Sequence, residues 1–342
     1  MNFNTKTNLQ MLSPANFAFV MSSGVTSIIF YKTGWPWFAK LFLFIGLTGY
    51  LGLLFLFIAR IFFLKKTVLQ DFKNVQRMFK YLTFSAGSNA LAMASFYSNH
   101  DLLGICLAFI GVLSSVVFTY TLFCTLFFHI QVPIQSISPF WLLLAIACNY
   151  SGIILSSLWT KGILTHPLFL LIAFSFWTFG VFLYIIFMAL NLYRMLFFPF
   201  EGLDMDPCYW TCMGAAAIAV VDGALFTLVP HAPAFAVTVR PFIAGMILFL
   251  WTWGTAWIPI LVLMELWKFF FFKIPFSYQP SRWAMVFPMG MFTAATDLLS
   301  YSLHMPFLQG VVHVCLWMTF ILWCITAYMS RFNPFQNTQF DG

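Results

Sequence analysis

The chain has 342 residues, of which 62% are hydrophobic and 7% are charged, and its formal net charge at pH 7 is +7. This composition excludes an ordinary soluble globular protein and is typical of a chain that lies largely inside a membrane. The basic excess suits anionic lipid headgroups, so membrane lipids are expected partners and nucleic acid is not.

Ten apolar stretches occupy most of the sequence. Each is long enough to cross the bilayer core, which needs about 20 apolar residues in helical conformation. We therefore predict an all-α membrane protein with a single transmembrane domain over residues 1–342. Its helices are predicted at about 13–31, 36–64, 77–97, 101–130, 138–159, 167–198, 207–229, 235–270, 281–302 and 304–330.

The ten stretches alternate between two kinds. Gly, Ala and Ser supply 36 of the 107 residues in the odd-numbered stretches but only 22 of the 154 in the even-numbered ones. Small residues let helices approach closely, whereas large aliphatic and aromatic residues suit lipid contact. We predict five helical hairpins in a quasi-fivefold ring, with the odd helices inside, lining a central pore, and the even helices outside.

Basic residues predict the orientation of the helices. The termini and the connections from even to odd helices, with the adjoining helix ends, carry twelve Lys and Arg residues, and the opposite side carries four. By the positive-inside rule, both termini are predicted to be cytoplasmic. The expected location is a bacterial inner (cytoplasmic) membrane.

Small and polar residues on the odd helices are candidates for the lining of a transport path. Hydroxyl and amide groups that face lipid cost free energy, so they should face water or other helices. Hydrogen bonds between helices are an equally good interpretation for any one residue, although the whole set favours a path. The candidates are Ser23, Gly24, Ser27, Gly87, Ser88, Asn89, Asn149, Gly152, Gly214, Gly290 and Thr293.

Prolines mark the odd helices. Ser13, Ser138 and Asp206 each precede a proline and are predicted N-caps. Pro288 differs, because it lies about seven residues inside the ninth predicted helix. A proline at that position removes a helical hydrogen bond and predicts a kink.

Motifs for nucleotide binding or hydrolysis are absent from the sequence, and we expect no cofactor and no catalytic residue. Cys208 and Cys212 lie one turn apart and have Asp204 and Asp206 nearby, but no His accompanies them. A structural role for these cysteines is favoured over a metal site. A membrane-embedded enzyme or scaffold is a remote alternative, since no convergent polar site is visible.

Two acidic residues fall within the predicted odd helices. Asp222 and Asp297 lie about 15 and 16 residues from their helix starts, which predicts a similar depth in the membrane. Acids inside a membrane are costly and are candidates for function. On neighbouring helices the two could approach each other and hold a proton. The alternative is a structural role in bonding backbone or hydroxyl groups.

Several segments, taken in chain order, resemble the tellurite-resistance/dicarboxylate transporter family. This family includes bacterial TehA-like proteins, fungal malate and sulfite transporters and plant slow anion channels. The similar segments are SPANF followed by MSSG in the first stretch, DPCYWTCMGA in the seventh, WIPIL in the eighth and WAMVFPM in the ninth.

The resemblance implies ten helices arranged as five hairpins around a central pore, usually in a homotrimer with one pore per subunit. It also implies that Phe287 is the aromatic gate. The expected function is transport of small inorganic or organic anions through a pore gated by this residue. Because Asp222 and Asp297 would repel an anion, a proton-coupled carrier for dicarboxylate, sulfite or tellurite is the alternative.

Overall fold

The computed structural model describes residues 9–10, 12–129, 131–202, 204–274 and 278–331. Within these ranges the protein consists of helices and turns without strands, so the predicted all-α class is confirmed. The ten long helices of this described part are α1 (Ala18–Lys32), α2 (Pro36–Phe63), α3 (Leu82–Tyr97), α4 (Asp101–Phe128), α5 (Leu142–Thr160), α6 (Pro167–Phe197), α7 (Thr211–Leu228), α8 (Ala234–Phe270), α9 (Trp283–Ser302) and α10 (Gln309–Ser330).

Seven of these helices are long and apolar enough to cross a membrane by length and composition, namely α2, α4, α5, α6, α7, α8 and α10. The other three, α1, α3 and α9, are shorter or carry more polar groups. The centre of α1, for example, contains Ser22, Ser23, Thr26 and Ser27. The polar groups that suggest an interior position for these helices thus also lower their mean hydropathy, by which a membrane-spanning helix is recognised.

Each odd helix packs against the even helix that follows it, which forms five consecutive hairpins. The odd helices also contact one another in order, from α1 to α3, α5, α7 and α9, and α9 contacts α1. In the membrane-length stretches of α5 and α7, 94% and 83% of residues are buried, against 28% to 39% in the five even helices. The small residues of the odd helices are therefore at the protein interior.

The odd helices α1, α5, α7 and α9 are each preceded by a 3₁₀ turn that begins with proline. Ser13 and Asp206 cap two of these turns, because their side chains accept hydrogen bonds from the backbone N–H groups of Ala15 and Cys208. The cap predicted for Ser138 is wrong, since its hydroxyl makes no capping hydrogen bond.

The helix predicted over 77–97 is wrong in its first part. Two short helices, Lys65–Asp71 and Val75–Lys80, lie between α2 and α3, and α3 itself begins only at Leu82. A buried charged cluster holds this segment against the end of α2. Arg60 is fully buried, and its Nη1 lies 2.6 Å from Asp71 Oδ2.

Tyr81 completes the cluster around Asp71. Its hydroxyl donates a hydrogen bond of 2.8 Å to Asp71 Oδ2, and Arg77 Nη1 donates one of 3.1 Å to Oδ1. Burial, together with the Asp71 charge, raises the pKa of the Tyr81 phenol well above its usual value. The phenol therefore remains a hydrogen-bond donor at neutral pH.

The replacement Asp71→Asn should destabilise the protein by about 3 kcal/mol, because it leaves the Arg60 guanidinium buried without a countercharge. Thermal unfolding of the purified protein in detergent would measure this loss. Asp101→Asn is the matched control, since Asp101 pairs with Lys161 at an exposed position, where the side chain of Asp101 is 54% exposed. Equal effects of the two replacements would contradict the role given to the buried cluster.

Glycine allows the odd helices to pack closely. A Cβ atom at Gly24 of α1 would lie 3.0 Å from the Ala90 backbone of α3. A Cβ atom at Gly214 of α7 would lie 2.7 Å from the Pro288 ring and 3.0 Å from its Cα. These contacts are the close helix approaches that small residues permit in membrane proteins.

The replacement Gly214→Ala should lower the unfolding temperature, because the added methyl group overlaps the Pro288 ring at a cost of about 2 kcal/mol. Gly245→Ala in α8 is the control, since nothing lies within 4 Å of a Cβ atom there. Both replacements bring the same gain in helix propensity. A lower unfolding temperature for the Gly245 variant than for the Gly214 variant would refute this packing role.

Candidate transport path

A small cavity lies where the five odd helices meet. Its volume is about 20 Å³, which is room for about one water molecule. All of its described lining residues come from odd helices: Val25, Ile28 and Lys32 of α1, Met93 and Tyr97 of α3, Tyr150 and Ile153 of α5, Val221 and Leu225 of α7, and Met291, Ala294 and Leu298 of α9.

The lining of this cavity is apolar, apart from two tyrosines and Lys32. This differs from the predicted path, because none of the small and polar candidate residues is among the described lining residues. A signal for the lining exists in the sequence, since Met291, Ala294 and Leu298 recur at helical spacing on one face of α9. The same is true of Val25, Ile28 and Lys32 on α1.

Phe287 belongs to the same face of α9, one turn before Met291. Its side chain is buried, with 2% exposed. The Phe287 ring lies 6.1 Å from the ring of Tyr150, and the Tyr150 hydroxyl lies 3.5 Å from the sulfur of Met291. Phe287 is thus directly beside two of the side chains that line the cavity, and Pro288 follows it inside α9, against Gly214.

The predicted path residues with hydroxyl groups are bonded to even helices. Ser27 donates a hydrogen bond to the Ala39 carbonyl of α2. The Ser88 hydroxyl lies 2.9 Å from the hydroxyl of Tyr50, which also belongs to α2. Ser23 accepts a hydrogen bond from the indole of Trp323 in α10. Inside a membrane such groups need partners within the protein, and here the even helices supply them.

The remaining candidates also lie between helices. The amides of Asn89 and Asn149 pack against Gly111 of α4 and Gly180 of α6, and Thr293 lies 3.5 Å from Thr319 of α10. The glycines face neighbouring helices as well. Gly24 contacts Ala90, Gly87 contacts Phe17 and Val20, Gly152 contacts Asp222, Gly214 contacts Pro288, and Gly290 contacts Val25.

The two acidic residues have separate surroundings. Asp222 is buried against Gly152 of α5, and neither of its carboxylate oxygens has a hydrogen-bond partner in the described part of the chain. Asp297 lies 2.5 Å from Lys32 Nζ and accepts a second hydrogen bond from Gln309. The negative charge of Asp297 is therefore compensated, which removes one of the two objections to anion passage raised by the sequence.

A larger cavity of about 390 Å³, with both polar and apolar residues in its wall, lies beside the N-terminal turns of α5 and α7. Arg194 and Lys268 contribute positive charge to its wall, and Asp204 and Asp206 contribute negative charge. Arg194 bonds to Asp204 and Tyr209, whereas Lys268 is 8% exposed and donates to the Met205 carbonyl at 2.7 Å. Cationic groups thus occur beside the odd helices at this end as well as at Lys32.

Comparison with known proteins assigns the family. The sequence profile of the voltage-dependent anion channel family matches residues 11–330. This chain belongs to the voltage-dependent anion channel family. The resemblance to the tellurite-resistance/dicarboxylate transporters is thereby confirmed.

Relatives in two other organisms agree with this assignment. An uncharacterized transporter of Methanocaldococcus jannaschii is 24% identical over 327 residues, which cover 91% of each chain. An uncharacterized membrane protein of Mycobacterium tuberculosis is 32% identical over 146 residues, or 43% of this chain and 74% of the relative. The protein is an integral membrane protein, and its family points to a transporter or channel for anions and not to an enzyme.

Proposed function

We propose that this protein conducts small anions along the common axis of the five odd helices, through a path that Phe287 closes. The observation that carries the proposal is the cavity on this axis, to which each odd helix contributes lining residues. Phe287 lies on the α9 face that lines this cavity and contacts Tyr150 from α5.

The architecture that we propose is a ring of ten membrane-crossing helices in five hairpins. It is supported by the contacts between successive odd helices, which lead from α1 through α9 and back to α1. The distribution of basic residues supports cytoplasmic termini, and the location that we propose is a bacterial inner membrane. A homotrimer with one path per subunit is proposed on the resemblance to the transporter family alone.

The apolar lining suggests how the path is closed. A narrow passage with mostly apolar walls disfavours water and ions, so a bulky ring beside it forms an effective barrier. The width of the passage and the charges at its ends would then determine which anions pass.

The replacement Phe287→Ala should open the path, because it removes the ring beside the cavity and leaves space along the axis. Purified protein in planar bilayers should carry chloride and nitrate currents about tenfold or more above those of the wild type.

Phe292→Ala is the matched control for this experiment. Phe292 is a buried phenylalanine of the same helix, but its ring stacks on Trp251 of α8 at 5.9 Å, whereas the Phe287 ring lies beside the cavity-lining Tyr150. It should leave the current at the wild-type level. Silence of the Phe287 variant, with protein shown to be folded and inserted, would reject the proposed channel.

A proton-coupled carrier for dicarboxylate, sulfite or tellurite is a second candidate, and Asp222 is the observation that favours it. A buried carboxyl group without a hydrogen-bond partner is costly to keep inside a membrane and is the place where such a carrier would bind its proton. Its position against Gly152, however, is in a contact between α5 and α7 and outside the described cavity lining.

The replacement Asp222→Asn separates these two candidates. Since a channel does not need a titrating group behind its wall, anion flux into proteoliposomes should change less than about twofold. Loss of uptake driven by a pH gradient, with passive chloride flux unchanged, would instead favour the carrier. Because the asparagine side chain has nearly the same shape as the aspartate, the packing against Gly152 is kept, and a change in uptake would reflect the loss of the titrating group.

A further inference from the structure

A charged pair stands at the end of the central cavity, near the C-terminal ends of α1 and α9. Lys32 is the last residue of α1, and its Nζ lies 2.5 Å from Asp297 Oδ2. The side chains of Lys32 and Asp297 are only 16% and 7% exposed. Gln309 of α10 donates to Asp297 Oδ1 at 3.3 Å and to Ser300 Oγ at 2.6 Å, so that the carboxylate is held from a third helix.

Lys32 belongs to the cavity as well as to the pair. Among the described residues that line the cavity, it carries the only charge. Leu298, which follows Asp297 directly, lines the same space. A cation is therefore fixed at the point where the apolar passage meets a polar end.

The ammonium group of Lys32 retains hydrogen-bonding capacity. Lysine has three N–H donors. Within the described ranges its hydrogen-bond acceptor is Asp297, and the Tyr301 ring lies 5.9 Å from Nζ. Since the pair is mostly buried, its electrostatic interactions are stronger than they would be in water. An anion that arrives from the cavity could therefore accept a hydrogen bond from the positively charged Lys32 ammonium group.

We infer that Lys32 binds a small monovalent inorganic anion at this end of the path, and that Asp297 sets the strength of that binding. This inference rests on the proposed anion conduction. While Asp297 holds Lys32, the net charge of the pair is near zero and a bound anion can leave again. Without Asp297, the full positive charge of Lys32 would retain the anion more strongly.

The opposite charges of the two residues give the inference a distinctive signature. Lys32→Met should weaken anion binding and Asp297→Asn should strengthen it. A pair that only stabilises the fold would behave differently, because loss of either partner would then act in the same direction and loss of both would be milder.

Nitrate binding can be measured without conduction, as the nitrate-dependent rise in the unfolding temperature of the purified full-length protein in detergent, with gluconate as the reference anion. Asp297→Asn should lower the nitrate concentration at half effect by roughly tenfold, and Lys32→Met should raise it by a similar factor. Lys32→Arg, which keeps the charge, should stay close to the wild type. Lys161→Met is the matched control, because Lys161 pairs with Asp101 and is not among the described lining residues.

The same replacements are then tested in the Phe287→Ala background in planar bilayers. There Lys32→Met should lower the chloride current several-fold, whereas Asp297→Asn should change the ratio of nitrate to chloride current. Changes of opposite sign in nitrate binding for the two replacements would support the inference. The inference would be overturned if both replacements shifted nitrate binding in the same direction, or if neither replacement altered it.

Failure of the proposed function is distinguishable from failure of the anion site. A silent Phe287→Ala protein that still shows the opposite nitrate shifts would reject conduction and keep the site. A conducting Phe287→Ala protein without those shifts would keep conduction and reject the site. Silence together with unaltered nitrate binding would reject both.

Discussion

The need of buried polar groups for partners inside the protein is the constraint on which this structure depends, and Asn89 and Asp222 are exceptions to it in the described part of the chain. In a membrane no water replaces a missing partner, so hydroxyl and amide groups must face other helices. The odd helices carry most of these groups and are small enough in side-chain volume to approach one another. Gly24 against Ala90 and Gly214 against Pro288 show how close that approach is. Once these helices are inside, the large apolar side chains of the even helices remain for the lipid.

This constraint also explains why the centre of the molecule is apolar. The hydroxyls of Ser23, Ser27 and Ser88 point outward and bond to even helices. What remains toward the axis is a layer of aliphatic, methionine and tyrosine side chains. The proposed path is therefore lined by residues of the odd helices that face away from the even helices. Among the described lining residues, Lys32 is the one that carries a charge.

The sequence predicts the hairpins well and the site poorly, for physical reasons. Long apolar stretches and the contrast between small and large residues are local signals, so most helix bounds were predictable to within a few residues. The break before α3 was not, because it depends on the contact of Asp71 with Arg60 and Tyr81. The polar residues indicated an interior position correctly but not their partners, which lie on other helices. The pairing of Lys32 with Asp297, 265 residues apart, leaves no local trace at all.

The contact between Pro288 and Gly214 has a consequence for the gating that we propose for Phe287. Pro288 follows Phe287 directly, and its ring occupies the space that a side chain at Gly214 would fill. The backbone at this point of α9 is therefore wedged against α7 and cannot shift without separating the two helices. Movement of the Phe287 ring would then come from rotation about its side-chain bonds and not from a displacement of α9. On the proposed function, opening of the path would then require no separation of α7 from α9, and a change of state that moves whole helices would have to originate elsewhere in the molecule.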